Sequence, residues 1–319
     1  MIKNRHPYVL VFGISVFDIC GFTDTNYRCN DSNPGKVKTS FGGVCRNIAE
    51  CMARVGVNTK FISILGDDEI GNRMMKHSKL MNYDMSESLI VKGGHTPTYM
   101  AILDEQGEMV SAVVDMKIID MFTIDFVDSK AEIIKNSEYM ILDSDRPDIV
   151  EHIIKTFKGS TKFILDPVSA AKAKKIKHLI KYFHTIKPNR YEAEIMCGFK
   201  IKNDEDLRKA GKYFIDLGIQ NVFITLDEDG IYYNNGIEEG KIKANDVSVV
   251  NVTGAGDSFV AGIVNGYMNN KNIVEIVKYA ISMSTITIST EETIHPKMSD
   301  ELVKSYMEKI NWTEVNYNK

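Results

Sequence analysis

The sequence predicts an α/β protein with a mostly parallel central sheet, helices on both faces and a small β-sheet lid. Three observations predict it. From residue 59 onward, short β-branched or aromatic runs alternate with segments of helical period, the spacing of parallel β-α-β units buried on both faces. Several of those runs end in Gly, Asp or Asp-Pro, as at Gly13 and Asp166-Pro167, on the sheet edge where open α/β folds bind ligands. Two extended segments have no helix to cover them and stand off the main alternation. At 319 residues, the chain is expected to form one domain over 1–319, with lid strands inserted at about 15–41 and 95–118.

Composition narrows the function. Hydrophobic content of 44% and charged content of 26% are ordinary for a soluble globule. A net charge of -4 argues against a nucleic-acid partner, which demands clustered excess Lys and Arg. The lysines from Lys172 to Lys187 form a local basic run, and on a predicted helix they read as a solvated face. Five cysteines without a C-x-x-C pair suit a reducing compartment, and seven scattered histidines give no zinc spacing. No apolar run reaches membrane-spanning length. A cytoplasmic protein without a membrane partner is expected.

Taken in order, residues 8–14 (Y-V-L-V-F-G-I) read as a buried strand. Asp18 follows at its ligand edge, in a binding role or a simple turn or cap. The chain is polar from Gly21 to Ser40 and strand-like at 36–41; a second extended pair, 98–103 and 109–114, flanks the turn D-E-Q-G. Gly42-Gly43 opens a helix with Val44, Ile48, Cys51 and Val55 on one face and Gly56 as its stop. Asn47 lies one turn in, where its amide can reach a ligand over the Gly-Gly corner or simply face solvent.

Further strands are expected at 61–65, 139–142 and 163–165, with helices from about Glu69 and after Pro147. After residues 185–187, Asn189 and Glu192 have the spacing of a capping box, which alone would explain both. Another helix starts at Asn203-Asp204 and stops at Gly218, and a strand at 221–226 leads to Gly230. Past residue 253 the chain reads as helical, with 281–288 a wall for an adenine ring.

The stretch N-V-T-G-A-G-D-S-F, from Asn251, is the centre of the reading. The β-branched residues 247–252 predict a strand, and a helix starts just after the small residues. Free amides at a helix N-terminus bind oxyanions. Asp257 beside them would repel an anion, so it makes chemical sense as a base facing a neutral hydroxyl. A capped helix after a glycine turn is the plain alternative. The stretch matches neither G-x-x-x-x-G-K-[ST] nor G-x-G-x-x-G, since Phe259 stands at the third glycine.

T-G-A-G-D resembles the C-terminal signature of the ribokinase-like (PfkB) carbohydrate and nucleoside kinases. The resemblance implies a ribokinase-like fold, Asp257 as catalytic base and Gly254, Ala255 and Gly256 as the anion hole. G-G-V-C-R-N-I-A-E resembles the family's N-terminal signature, implying that Gly42, Gly43 and Asn47 hold substrate hydroxyls together with Asp18. K-P-N-x-x-E resembles its magnesium and phosphate motif, implying Asn189 at the nucleotide and Glu192 on Mg²⁺ through water. Thr225 and Gly230 resemble its nucleotide-phosphate turn, although Asp227 replaces the middle glycine.

Within the family, Gly42 to Glu50, Leu165 to Ser169, Asn251 and Asp115 look most like the pseudouridine kinases. That implies ATP and Mg²⁺ as cofactors, transfer to the 5′-hydroxyl of pseudouridine, Asp115 as a further substrate contact and a homodimer through the lid. The alternatives are a kinase of another nucleoside or of a free sugar such as ribose or fructose, and a non-catalytic nucleoside sensor. Val16 and Asn251 depart from ribokinase itself, and Asn251 leaves any need for K⁺ open.

Overall fold

A computed structural model describes residues 6–318. Its main sheet has ten strands. From one edge these are Tyr83–Asp84, Thr59–Ile62, Val9–Phe12, Tyr139–Leu142, Lys162–Leu165, Thr185–Ile186 and Asn221–Thr225, all parallel. Ile231–Asn234, Glu239–Ala244 and Trp312–Asn316 continue the sheet antiparallel.

Both faces of the central parallel strands are buried. Side chains alternate along a strand, so Leu10 and Phe12 join one core with Ile153, Phe157 and Leu142, while Val9 and Val11 join the other with Ile48, Met52, Val264 and Met283. The second core brings together the helices Val44–Arg54, Ala255–Met268 and Ile273–Ile288. The two signature-bearing helices therefore lie side by side on one face, with their N-termini at the ligand edge.

The lid is a separate four-stranded sheet in the order Gly35–Gly42, Val16–Thr23, Thr98–Leu103, Met109–Asp115. Met109–Asp115 is exposed along its whole length and forms an open edge.

Four local expectations need correction. Residues 247–252 form no strand: Val249, Val250 and Val252 are exposed, and Val250 N–H donates to the Ile288 carbonyl at 2.7 Å instead of joining a ladder. The C-terminal segment is not all helical, because Trp312–Asn316 pairs with Glu239–Ala244. The expected strand at 61–65 breaks in two, its second half, Ile64–Gly66, pairing with Leu89–Val91. Lys187 is not on a solvated face but is buried.

Candidate active site

The helix Ala255–Met268 begins at Gly254, in the left-handed region at φ 82°. A side chain there would also meet the Thr293 carbonyl, 2.1 Å from an ideal Cβ, so only glycine fits. Of the expected anion-hole amides, that of Ala255 donates to the Val252 carbonyl at 3.3 Å. Those of Gly256 and Asp257 take no partner among the described residues, as the first turn of a helix leaves them.

Asp257 is partly buried beside these amides. Burial, reinforced by the nearby Asp166 carboxylate, pushes its pKa up to about 7; Asn47, Lys187 and Arg46 oppose the rise. Asn47 Nδ2 donates to Asp257 Oδ2 at 2.7 Å. Asn47 is therefore turned inward on its buried helix and not toward solvent. Behind it, Arg46 donates to Asn47 Oδ1 and pairs with Glu50 at 2.6 Å. Glu50 also holds Arg54 at 2.7 Å and His77 at 2.8 Å.

Asp18 lies on the lid strand Val16–Thr23, next to the Gly42-Gly43 corner. Gly42 is bare because an ideal Cβ would lie 1.9 Å from Asp18 Oδ2. Burial lifts the Asp18 pKa to about 6, against the pull of Arg46. Asp18, Gly42, Gly43 and Asn47 thus form one corner leading to Asp257. Asp115 stands apart: it ends the exposed lid edge strand, in register with Thr98, which in turn pairs with Phe17.

Asn189 and Glu192 complete a full capping box at the start of Arg190–Cys197. Asn189 Oδ1 accepts from the Glu192 amide at 2.8 Å, and Glu192 Oε2 accepts from the Asn189 amide at 2.9 Å. The second Glu192 oxygen is left over by this arrangement. Thr225 bridges to Asn189 at the end of its strand. Gly230 closes the following turn at φ 90°, and Asp227, itself at φ 52°, is exposed on that turn.

Three functional candidates escaped the sequence reading. Asp166 and Lys187 directly follow the paired residues Leu165 and Ile186 on neighbouring strands, and they form a buried ion pair at 2.9 Å. Lys187 Nζ lies against Gly256, 2.9 Å from an ideal Cβ. Buried Asp143 abuts Gly13 at the same edge, and burial together with Asp145 raises its pKa to about 6. Two spacings carried partial signals: Asp166 ends a strand at the ligand edge, and Lys187 precedes P-N-x-x-E.

Comparison with known proteins follows the same lines. The model of the pfkB family of carbohydrate kinases matches residues 6–300. The pseudouridine kinase of Escherichia coli (strain K12) is 32% identical over 306 residues, which span 96% of this chain and 98% of that protein. A solved structure from Clostridium perfringens, described as a candidate sugar kinase, is 60% identical with a TM-score of 0.94, covering 98% of this chain and 99% of that one. The Arabidopsis thaliana ribokinase solved with ribose and ATP has a TM-score of 0.82 at 20% identity, over 95% of this chain and 99% of that one, a likeness of fold.

Proposed function

Because the chain belongs to the pfkB family of carbohydrate kinases, we propose that it transfers the γ-phosphoryl group of ATP to the 5′-hydroxyl of pseudouridine. The observation that carries the reading is the placement of Asp257: a carboxylate of raised pKa, fixed by Asn47, beside two amides that take no partner among the described residues. A base poised near neutrality suits removal of a hydroxyl proton. The 32% identical pseudouridine kinase supports the choice of acceptor.

ATP and Mg²⁺ are the cofactors of this reading, the pair bound in a solved structure of a candidate ribokinase II from E. coli that shares the fold. The residues fit both. The bare Gly254 turn, the Gly256 and Asp257 amides and the Lys187 ammonium offer donors and positive charge to phosphate oxygens. Among the described residues no group of three or more His, Cys, Asp or Glu is placed to hold a metal. That suits Mg²⁺, which keeps several waters and phosphate oxygens as ligands; Glu192 would reach it through water. When bound, Mg²⁺ neutralises charge on the phosphate oxygens.

The chain's own part in the reaction is positioning and proton transfer. Asp18 and the Gly42-Gly43 corner orient the acceptor, and Asp257 accepts its hydroxyl proton as the oxygen bonds to the γ-phosphorus and the bond from that phosphorus to the β-phosphate's bridging oxygen breaks, releasing ADP. The Gly256 and Asp257 amides steady the negative charge of the transferring group. The lid excludes water, the competing acceptor. Residues 281–288, expected as the adenine wall, are mostly buried, so the exposed Val249, Val250 and Val252, adjoining the anion hole in sequence, suit that apolar wall in their place.

The exposed edge strand and its Val113, together with Val37 on the opposite edge, suit a homodimer through the lid. Sedimentation showing only monomer at micromolar concentration would reject that part. Among the described residues no helix is long and apolar enough to cross a membrane, and all five cysteines are free, in keeping with a cytoplasmic setting.

A second reading, transfer to a free sugar, is favoured by the 60% identical structure described as a candidate sugar kinase. ADP release with ATP, Mg²⁺ and a panel of nucleosides and sugars decides between the two. Pseudouridine should give the highest kcat/KM. A ribose or fructose value tenfold higher would move the assignment to a sugar kinase, and no ADP release with any acceptor would leave a non-catalytic sensor.

A further inference from the structure

One side chain near the base has a chemistry that the kinase reading leaves unused. Arg46 is buried on the helix Val44–Arg54, immediately before Asn47. Its guanidinium donates one way to Asn47 Oδ1 and the other way to Glu50 Oε2, the latter at 2.6 Å. Glu50 is buried too. Burial alone would raise its pKa, but His77, Arg46 and Arg54 together bring it down to about 2, so Glu50 is an anchored anion at neutral pH.

An amide side chain has one accepting and one donating end, whereas a guanidinium only donates. With Arg46 in place, Asn47 must turn Oδ1 toward it and Nδ2 toward Asp257, the orientation observed. Without Arg46 the amide is free to rotate by half a turn. It would then present an acceptor to Asp257, and a carboxyl group can meet an acceptor only by carrying a proton. That is the wrong state for a base.

We infer that Arg46 is a positioning residue: held by Glu50, it fixes the polarity of the Asn47 amide so that the Asn47–Asp257 hydrogen bond favours the proton-free carboxylate. The inference rests on the kinase reading for its consequence, though not for its geometry. Its reach is one-directional, since hydrogen bonds to a charged form favour that form. Asp166 raises the Asp257 pKa, Lys187 lowers it, and the Arg46 charge itself lowers it as well as acting through Asn47, so the coupling with Asn47→Ala, not the midpoint alone, separates the two routes; Cys51, on the same helix as Arg46, also feels the Asp257 charge.

The test compares Arg46→Met, Arg46→Lys and the double variant Arg46→Met/Glu50→Gln, which avoids leaving a buried carboxylate unpaired. The carboxyl resonance of Asp257 is followed in ¹³C-aspartate-labelled full-length protein, assigned by its loss in Asp257→Asn. In Arg46→Met or the double variant, the midpoint of Asp257 should rise by about one pH unit or more, the size of effect a reversed hydrogen bond brings. Arg46→Lys, which also only donates, should restore most of the difference.

In the ADP-release assay with the best acceptor, kcat at pH 7 should fall about fivefold or more and recover as pH rises. Adding Asn47→Ala should cost little further, because both changes break one unit. A folded double variant whose Asp257 midpoint is unmoved would overturn the proposal. So would losses from Arg46→Met and Asn47→Ala that multiply. A midpoint that moves as expected in a protein releasing no ADP with any acceptor would uphold the positioning role and sink the kinase reading instead.

Discussion

Replacing Asp257 with Asn should abolish the reaction and stabilise the protein, and the two effects have one cause. Asn keeps the shape and can still accept a hydrogen bond from Asn47, which holds Asp257 Oδ2 at 2.7 Å, but it cannot take a proton. Loss of a general base costs about 10²–10⁴ in rate. The carboxylate itself is held at a pKa of about 7 against 3.8 when free, so the folded state binds a proton that the unfolded chain releases. The penalty is absent below about pH 4, grows as pH rises toward 7 and is complete above it.

One pKa unit corresponds to about 1.4 kcal/mol; discounted for the partial exposure of Asp257, the full penalty is about 1–2 kcal/mol. Asp257→Asn should therefore melt about 2–4 °C above wild type at pH 8, with the gap closing toward pH 4. ADP release and thermal melts across pH 4–8 measure both effects on ligand-free and assayed protein. A folded variant that keeps a tenth of wild-type turnover would rule out Asp257 as the base, and a melting difference that does not change with pH would rule out its raised pKa.

Other outcomes follow from the same geometry. In wild type, kcat/KM for the acceptor should drop about tenfold per pH unit below 7 and level off above it, as the raised pKa of Asp257 requires. Gly42→Ala places a methyl group 1.9 Å from Asp18 Oδ2; the acceptor KM should rise about tenfold or more with the ATP KM unchanged, read by initial rates. Glu50→Ala strips the anion from buried Arg46 and from Arg54 and His77, and denaturant unfolding should register a loss of about 3–5 kcal/mol. Val113→Lys on the exposed lid edge should shift a dimer toward monomer in sedimentation without changing the melting temperature.

What the sequence revealed was local. Gly254, Gly256 and Asp257 could be read because a glycine turn opening a helix is a contiguous pattern, and three of the four lid strands because nothing nearby could cover them; Val16–Thr23 was not read as a strand. The Asn47–Asp257 bond joins residues 210 apart, and no local periodicity reports which way an amide faces in a packed pair of helices. Lys187 was misread for a similar reason: a window of lysines looks solvated, yet this one follows a strand and meets Asp166 across the sheet. Residues 247–252 have strand-forming composition and no neighbouring strand to pair with. Trp312–Asn316 has a short pattern whose partner lies far back in the chain. Asn189 and Glu192 satisfy each other as a capping box, so capping accounts for two of their four polar side-chain ends, Asn189 Oδ1 and Glu192 Oε2, and any role at the nucleotide or the metal falls to the other two.

The electrostatics of the cleft explain why hydrogen-bond polarity, more than net charge, is left to govern the base. Burial raises Asp18, Asp143 and Asp257 together, while the two strongest nearby charges of opposite sign, Asp166 and Lys187, are closed on one another at 2.9 Å. Their fields at Asp257 oppose each other, one raising and one lowering its pKa. A full charge placed against Asp257 would move its pKa far from neutrality in either direction. A neutral amide of fixed orientation shifts it in a direction set by the atom it presents, and here the Asn47 hydrogen bond lowers it by more than the Lys187 or Arg46 charge does. A base required to be empty at pH 7 and to hold a proton moments later is better served by that oriented contact than by an ion pair.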